Sequence, residues 1–201
     1  MPSRRTAVGA AAVVLALVVL GFAFVDASVL QGETATDASV GTARANDAAA
    51  SLADPVTLVV ADEGWLESRI GDRLERDLEE RGATVTRVSS LEAPIDDPVL
   101  VVRVTDATVS YSPVSPSATV QASFAYVQSG NVTLAQSLVD DGPMVISSNR
   151  DAYVAGGDVT VRDRTAGIAT WPAYQRRVAD AVSTAMVDQL AGAPGMDRPD
   201  F

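Results

Sequence analysis

Residues 7–25 form an uninterrupted apolar run, AVGAAAVVLALVVLGFAFV, with Arg4 and Arg5 on one side and Asp26 on the other. At ~1.5 Å of rise per residue a helix of this length reaches ~28 Å, close to the ~30 Å hydrocarbon core of a bilayer. Inside lipid every backbone N–H and C=O has to be satisfied within the segment, so a helix is the only conformation open to a lone span. The run reads as one transmembrane helix, and the lipid bilayer as the first partner the chain implies. Arg4 and Arg5 form the positive flank that stays in the cytoplasm. Residues 1–6 are then a cytoplasmic N-terminus and the remainder is extracytoplasmic, as in a single-pass protein of the cell membrane. The competing reading is a cleaved export signal. Ser3-Arg4-Arg5 is a partial twin-arginine sequence, and Val25-Asp26-Ala27 offers small residues for a cut before Ser28. Both readings export the C-terminal portion.

What is exported is strongly acidic. The chain carries 15 basic residues, all arginine, against 26 acidic ones, for a net charge of −11. With Arg4 and Arg5 set aside, 13 arginines face all 26 acids, a balance of −13. Such a surface repels itself at low salt, whereas molar salt shrinks the Debye length to ~3 Å and removes that cost. Aspartate-rich, lysine-free composition resembles that of haloarchaeal proteins, which implies a habitat and no activity. It also explains the acidic pairs Glu79-Glu80, Asp96-Asp97 and Asp140-Asp141 as solvated surface. Nucleic acid is excluded as a partner, because phosphate binding needs a basic stripe and none is present. With no cysteine, neither a disulfide framework nor a lipid-carrying lipobox is available.

Residues 26–54 are rich in Ala, Thr, Asp, Ser and Gly and read as a low-complexity extracytoplasmic linker with a reach of ~30 Å, in which 44–52 has the composition of a short helix. The folded domain is expected over 55–191. A β-branched strand at 56–60 precedes a helix at 65–81, whose Leu66, Ile70, Leu74 and Leu78 make one apolar stripe. Its opposite face pairs Asp72 with Arg76, Arg73 with Asp77, Arg76 with Glu80 and Asp77 with Arg81 at i,i+4 spacing, and reads as solvated. Gly82 closes the helix. A strand at 83–88 follows, then a long hairpin of strands at 99–111 and 118–128 across the proline-containing loop SPVSPS. Ala118, Val120, Ala122, Phe124 and Tyr126 share one face of the second strand. A third strand at 132–139 completes a meander, short edge strands are expected at 144–146 and 158–161, and a helix at 171–190 opens with Thr170 as N-cap and Pro172 in its first turn. Residues 192–201 are expected to fray as a flexible tail.

The expected architecture is therefore α+β: an N-terminal transmembrane helix plus a two-layer sandwich of a mainly antiparallel sheet with two helices on one face. That element order over 56–190 resembles small envelope accessory domains of the LptE-like and transport-auxiliary lipoprotein type. No motif carries the resemblance, no site residue is transferred by it, and the lipidated cysteine of those domains is missing here.

Catalytic chemistry has few residues to use. No histidine is present to act as a base poised near neutrality, and no Gly-x-Ser-x-Gly elbow, phosphate-cradling loop or Ser-x-x-Lys sequence exists. The densest carboxylate cluster, Asp151, Asp158 and Asp163 around Gly156-Gly157, lacks calcium-loop spacing. No catalytic, cofactor or metal residue is assigned and no cofactor is expected. Asn131 opens the only Asn-x-Ser/Thr sequon and is the candidate N-glycosylation site. Trp65 and Trp171 each open a helix, where packing against the sheet is expected rather than surface recognition. The expectation is a membrane-tethered extracytoplasmic binding or accessory module that acts by protein contact within a membrane complex. The alternatives are a carboxylate-dependent extracytoplasmic enzyme and a sensory domain of such a complex.

Overall fold

The computed structural model describes residues 28–43, 50–51, 55–61, 64–88, 97–141, 153–193 and 196–197. The apolar run at 7–25 and the short strand expected at 144–146 lie outside these residues. No helix among the described residues is long and apolar enough to cross a membrane.

The elements follow in the order β1 (Ser28–Ala43), β2 (Ala50–Ser51), β3 (Val56–Ala61), α1 (Trp65–Glu79), β4 (Val85–Val88), β5 (Val99–Ser110), β6 (Ser117–Val127), α2 (Val132–Asp141), β7 (Val154–Ala169), α3 (Trp171–Gly192) and β8 (Met196–Asp197). Six strands form one sheet in the order β1-β7-β6-β5-β3-β4. The expected α+β class holds, with the two long helices α1 and α3 on one face. The sheet is mixed: β1, β7, β6 and β5 pair antiparallel, whereas β3 is parallel to both β4 and β5. The parallel part arises because α1 carries the chain back between β3 and β4, a βαβ crossover. β3 is accordingly buried on both sides, with Leu58 and Val59 pointing opposite ways into two apolar clusters.

α1 buries the stripe that its sequence periodicity marks out: Leu66, Ile70, Leu74 and Leu78 are all within the main core. Gly82 adopts φ 91°, and the N–H of Ala83 reaches back to the carbonyl of Leu78, so the left-handed residue closes the last turn as only glycine does without strain. α3 lies beside α1 and runs in the same direction. Asp77, read from the sequence as part of a solvated face, is instead buried between the two helices. It pairs with Arg73 at 2.9 Å and accepts a 2.6 Å hydrogen bond from Ser183 Oγ. The i,i+4 charge pattern cannot distinguish a residue facing water from one facing a neighbouring helix. Thr170 occupies the N-cap of α3 with extended backbone and Pro172 sits in the first turn, but the Thr170 side chain makes no capping bond.

Five expectations are corrected. Residues 28–43, placed in the linker, form an edge strand paired along its whole length with β7. Alanine, threonine and glycine suffice there because the ladder, not side-chain burial, holds an edge strand. Ala50 and Ser51, placed in the possible helix at 44–52, pair with β8. Residues 132–139 are helical, not a third meander strand: Asn131 Oδ1 accepts the N–H of Leu134 at 3.0 Å, a side-chain N-cap, and Ala135 and Val139 fall one turn apart on the buried side. Residues 158–161 belong to no short edge strand but to the sixteen-residue β7, which lies between β1 and β6. At the C-terminus Met196, in the expected flexible tail, is buried in the main core.

Candidate functional site

Alternation along β7 divides the sheet into a covered and an open face. Val159, Val161, Asp163 and Thr165 point under α3, while Asp158, Arg162, Arg164, Ala166 and Ile168 point outward. Among the described residues the outward face is covered at one end only, where α2 packs Ala135 and Val139 on Val59, Val99, Val101, Ala125 and Val127. Beyond α2 it is polar and solvent-facing. The register places Thr108, Thr119 and Arg162 in one row across β5, β6 and β7, continued by Ala35 of β1, with Ser110, Ser117, Arg164 and Glu33 in the next. These rows line a shallow open trough. Neither Arg162 nor Arg164 forms an ion pair among the described residues, in a chain where acids outnumber arginines 26 to 15. The trough is thus a hydroxyl-rich strip of sheet with two adjacent guanidinium groups.

Of the carboxylates grouped by sequence, Asp158 and Asp163 do not come together. Asp158 and Asp163 lie on opposite faces of β7, and Asp151 is outside the described residues. Asp158 accepts a 2.7 Å hydrogen bond from Ser123 on the open face. Asp163 is 1% exposed and fully engaged. Thr34 Oγ1 donates to its Oδ1 at 2.7 Å, Arg177 Nε to the same oxygen at 2.9 Å, and Thr165 Oγ1 to Oδ2 at 2.6 Å. Arg177 Nη2 also reaches Thr34 Oγ1 at 3.0 Å, so one carboxylate joins β1, β7 and α3. Burial pushes its pKa up, but the hydrogen bonds from Thr165, Thr34 and Arg177 and the charge of Arg177 outweigh that, leaving it below the ordinary 3.8. Beside it the buried Tyr174 phenol is pushed well up by desolvation and then by the Asp163 charge. A carboxylate that takes three hydrogen bonds from three elements and a phenol held protonated have the chemistry of a structural clamp. Asp180, near Arg73 and Asp77, is raised by partial burial, with Arg73 opposing and Asp77 reinforcing. No group of three His, Cys, Asp or Glu side chains among the described residues is arranged to hold a metal ion.

Glu79 and Asp97 are exposed, in keeping with solvated acids. Asn131 is exposed as the N-cap of α2, with its amide oxygen turned to the helix. Asn131→Asp should therefore keep the cap and the stability while removing the sequon, whereas Asn131→Ala should cost ~1 kcal/mol. Urea unfolding measures the cap, and the intact mass of both variants against wild type reports whether a glycan was there to lose. Trp65 and Trp171 pack on each other, with ring centroids 5.1 Å apart, and Tyr111 meets Trp171 edge-on at 5.1 Å. The trough residues Arg162, Arg164, Thr108 and Thr119 were not singled out by sequence. The available signal was the V-T-V-R-D-R-T alternation of 159–165, which places both arginines on one side.

No family model and no curated protein sequence matches the chain. Among solved structures it is similar to the PelC dodecamer from Paraburkholderia phytofirmans, at 13% identity and a TM-score of 0.37 over 80% of this chain and 99% of that one. It is also similar to the lipoprotein GNA1162 from Neisseria meningitidis, at 15% identity and a TM-score of 0.35 over 72% of this chain and 99% of that one. Values this low leave the site to be read from its own residues.

Proposed function

We propose that the chain is a membrane-tethered extracytoplasmic accessory module that works by protein contact and carries out no reaction. The observation that carries this reading is the open half of the sheet, a flat polar strip around Thr108, Thr119, Arg162 and Arg164 that no other described element covers. Flat rows of hydroxyls with two guanidinium groups suit hydrogen bonding to another protein's surface, and arginine offers five donors in a fixed fork. The tether is residues 7–25, and the partner is a component of the same membrane.

A photo-crosslinking residue at Thr119 should trap one discrete membrane protein in molar salt, and the same residue at Thr184, on the exposed side of α3, should not. Arg162→Glu combined with Arg164→Glu should abolish the adduct. Solitary migration after mild extraction, with no adduct from Thr119, would overturn the reading.

The acidic composition supports a salt-adapted domain within the same proposal. Its melting temperature should rise by several degrees between 0.1 M and multimolar KCl, since self-repulsion is screened and each kcal/mol is worth ~2–4 °C at this size. Thermal unfolding followed by circular dichroism measures it, and a flat salt dependence removes the halophilic reading.

A further inference from the structure

The described residues expose four large apolar side chains, Trp65 (40%), Tyr111 (38%), Val114 (61%) and Ile168 (50%). All four are at one end of the domain. Trp65 and Trp171 open the two parallel helices there and meet with their rings tilted at 59°, and Tyr111 packs on Trp171 while its hydroxyl donates to the carbonyl of Ala169 at 2.8 Å. Val114 is in the β5–β6 loop, which runs alongside β7: the N–H of Gly167 bonds to the carbonyl of Val114 and that of Ala169 to the carbonyl of Pro113. Ile168 lies between those two bonds.

The chain enters the domain at this same end. Ser28 pairs with Ala169 and Val29 with Ile168, and only Asp26 and Ala27 separate β1 from the apolar run at 7–25. Three Cα steps reach at most ~11 Å even when fully extended. The headgroup layer on each side of a bilayer is ~5–7 Å thick, from the difference between the full and the hydrocarbon thickness. A domain whose first strand starts so close to the end of a membrane span cannot stand clear of the surface.

We propose that the Trp65, Tyr111, Val114 and Ile168 end is a bilayer-docking surface, seated in the headgroup region of the membrane that residues 7–25 anchor in. The proposal rests on the reading of 7–25 as an anchor. Tryptophan and tyrosine, with apolar rings and one polar atom each, are the residues that favour that zone. Apolar insertion also persists in molar salt, where attraction between charges is screened.

Trp65 and Trp171 are the only tryptophans in the chain, so intrinsic emission reports this patch alone. The test reconstitutes the full chain in phosphatidylcholine vesicles whose acyl chains carry bromine either near the headgroup or near the chain end. Shallow bromines should lower the emission by roughly half and deep ones by less, as for rings at the interface. Val114→Asp with Ile168→Asp should weaken the quenching while the protein still floats with the vesicles. Flotation with emission indifferent to bromine overturns the docking and leaves the anchor intact. Failure to float overturns the anchor, and the docking surface with it.

Discussion

Asp163→Ala should be among the most damaging single substitutions in the domain, costing ~2–4 kcal/mol. Removing one member of a buried charged pair costs ~3–5 kcal/mol when the other is left stranded. Arg177 keeps 29% of its side chain exposed and regains some water, which lowers the figure. The buried Thr165 loses its acceptor as well, and a buried hydroxyl without a partner is expensive. Because Asp163 holds β1 to β7 and α3, the loss should be concentrated at the sheet edge. Asp163→Asn keeps the shape and one acceptor oxygen and should cost less than the alanine variant. The pH dependence separates charge from shape. The folded pKa lies below the ordinary 3.8, so the ionised carboxylate stabilises the fold fully above that value, and the contribution is lost as pH falls from 3.8 through the folded pKa. Urea unfolding of wild type from neutral pH down to that range should show the added loss, and Asp163→Asn should not. An asparagine variant as acid-sensitive as wild type would remove Asp163 from the account.

Elements that bury a regular stripe were legible in the sequence. Leu66, Ile70, Leu74 and Leu78 recur every fourth residue, and the hairpin strands alternate cleanly around Val120 and Phe124. Elements held by other forces were not. β1 has no apolar periodicity, since its place depends on backbone pairing with β7. β7 itself is disguised by Gly156, Gly157 and the buried carboxylate of Asp163, which falls where an apolar residue would keep the alternation. α2 begins with Val132 and Thr133, residues that favour strands, and helix wins through the Asn131 cap and the burial of Ala135 and Val139. The trough was invisible for a related reason: a candidate site of serines, threonines and two arginines drawn from three strands has no local motif.

Placing β1 against β7 also changes what the N-terminal run implies. With residues 26–54 as a tether, the domain would range ~30 Å from the membrane. With the first strand starting at Ser28, the Trp65 and Trp171 end and the nearby trough rows at Ser117 and Arg164 come together at the side where the chain enters. On the proposed anchoring, a protein contact made there would belong to a partner that reaches close to the membrane surface, so the proposed docking surface and the trough would constrain the same partner.

The two faces of the sheet should differ in how much they contribute to stability, and Leu74→Ala against Val139→Ala measures the difference. Leu74 is fully buried in the large cluster under α1 and α3. Truncating it leaves a cavity that two helices and a sheet cannot close, at a cost of ~3–4 kcal/mol. That is a large share of the ~5–15 kcal/mol that holds a domain of this kind. Val139 belongs to the smaller cluster under α2, where losing two methyl-sized groups costs ~1–2 kcal/mol. The consequences should differ in kind as well as size. α2 covers only one end of its face, so Val139→Ala should speed amide hydrogen exchange in α2 while leaving α1 and α3 protected. Leu74→Ala should speed exchange throughout α1, α3 and the strands beneath them together, because these share one core. Equal costs, or exchange spreading from α2 into the whole sheet, would mean that the short helix is an integral part of a three-layer core and not a cap on one end of it.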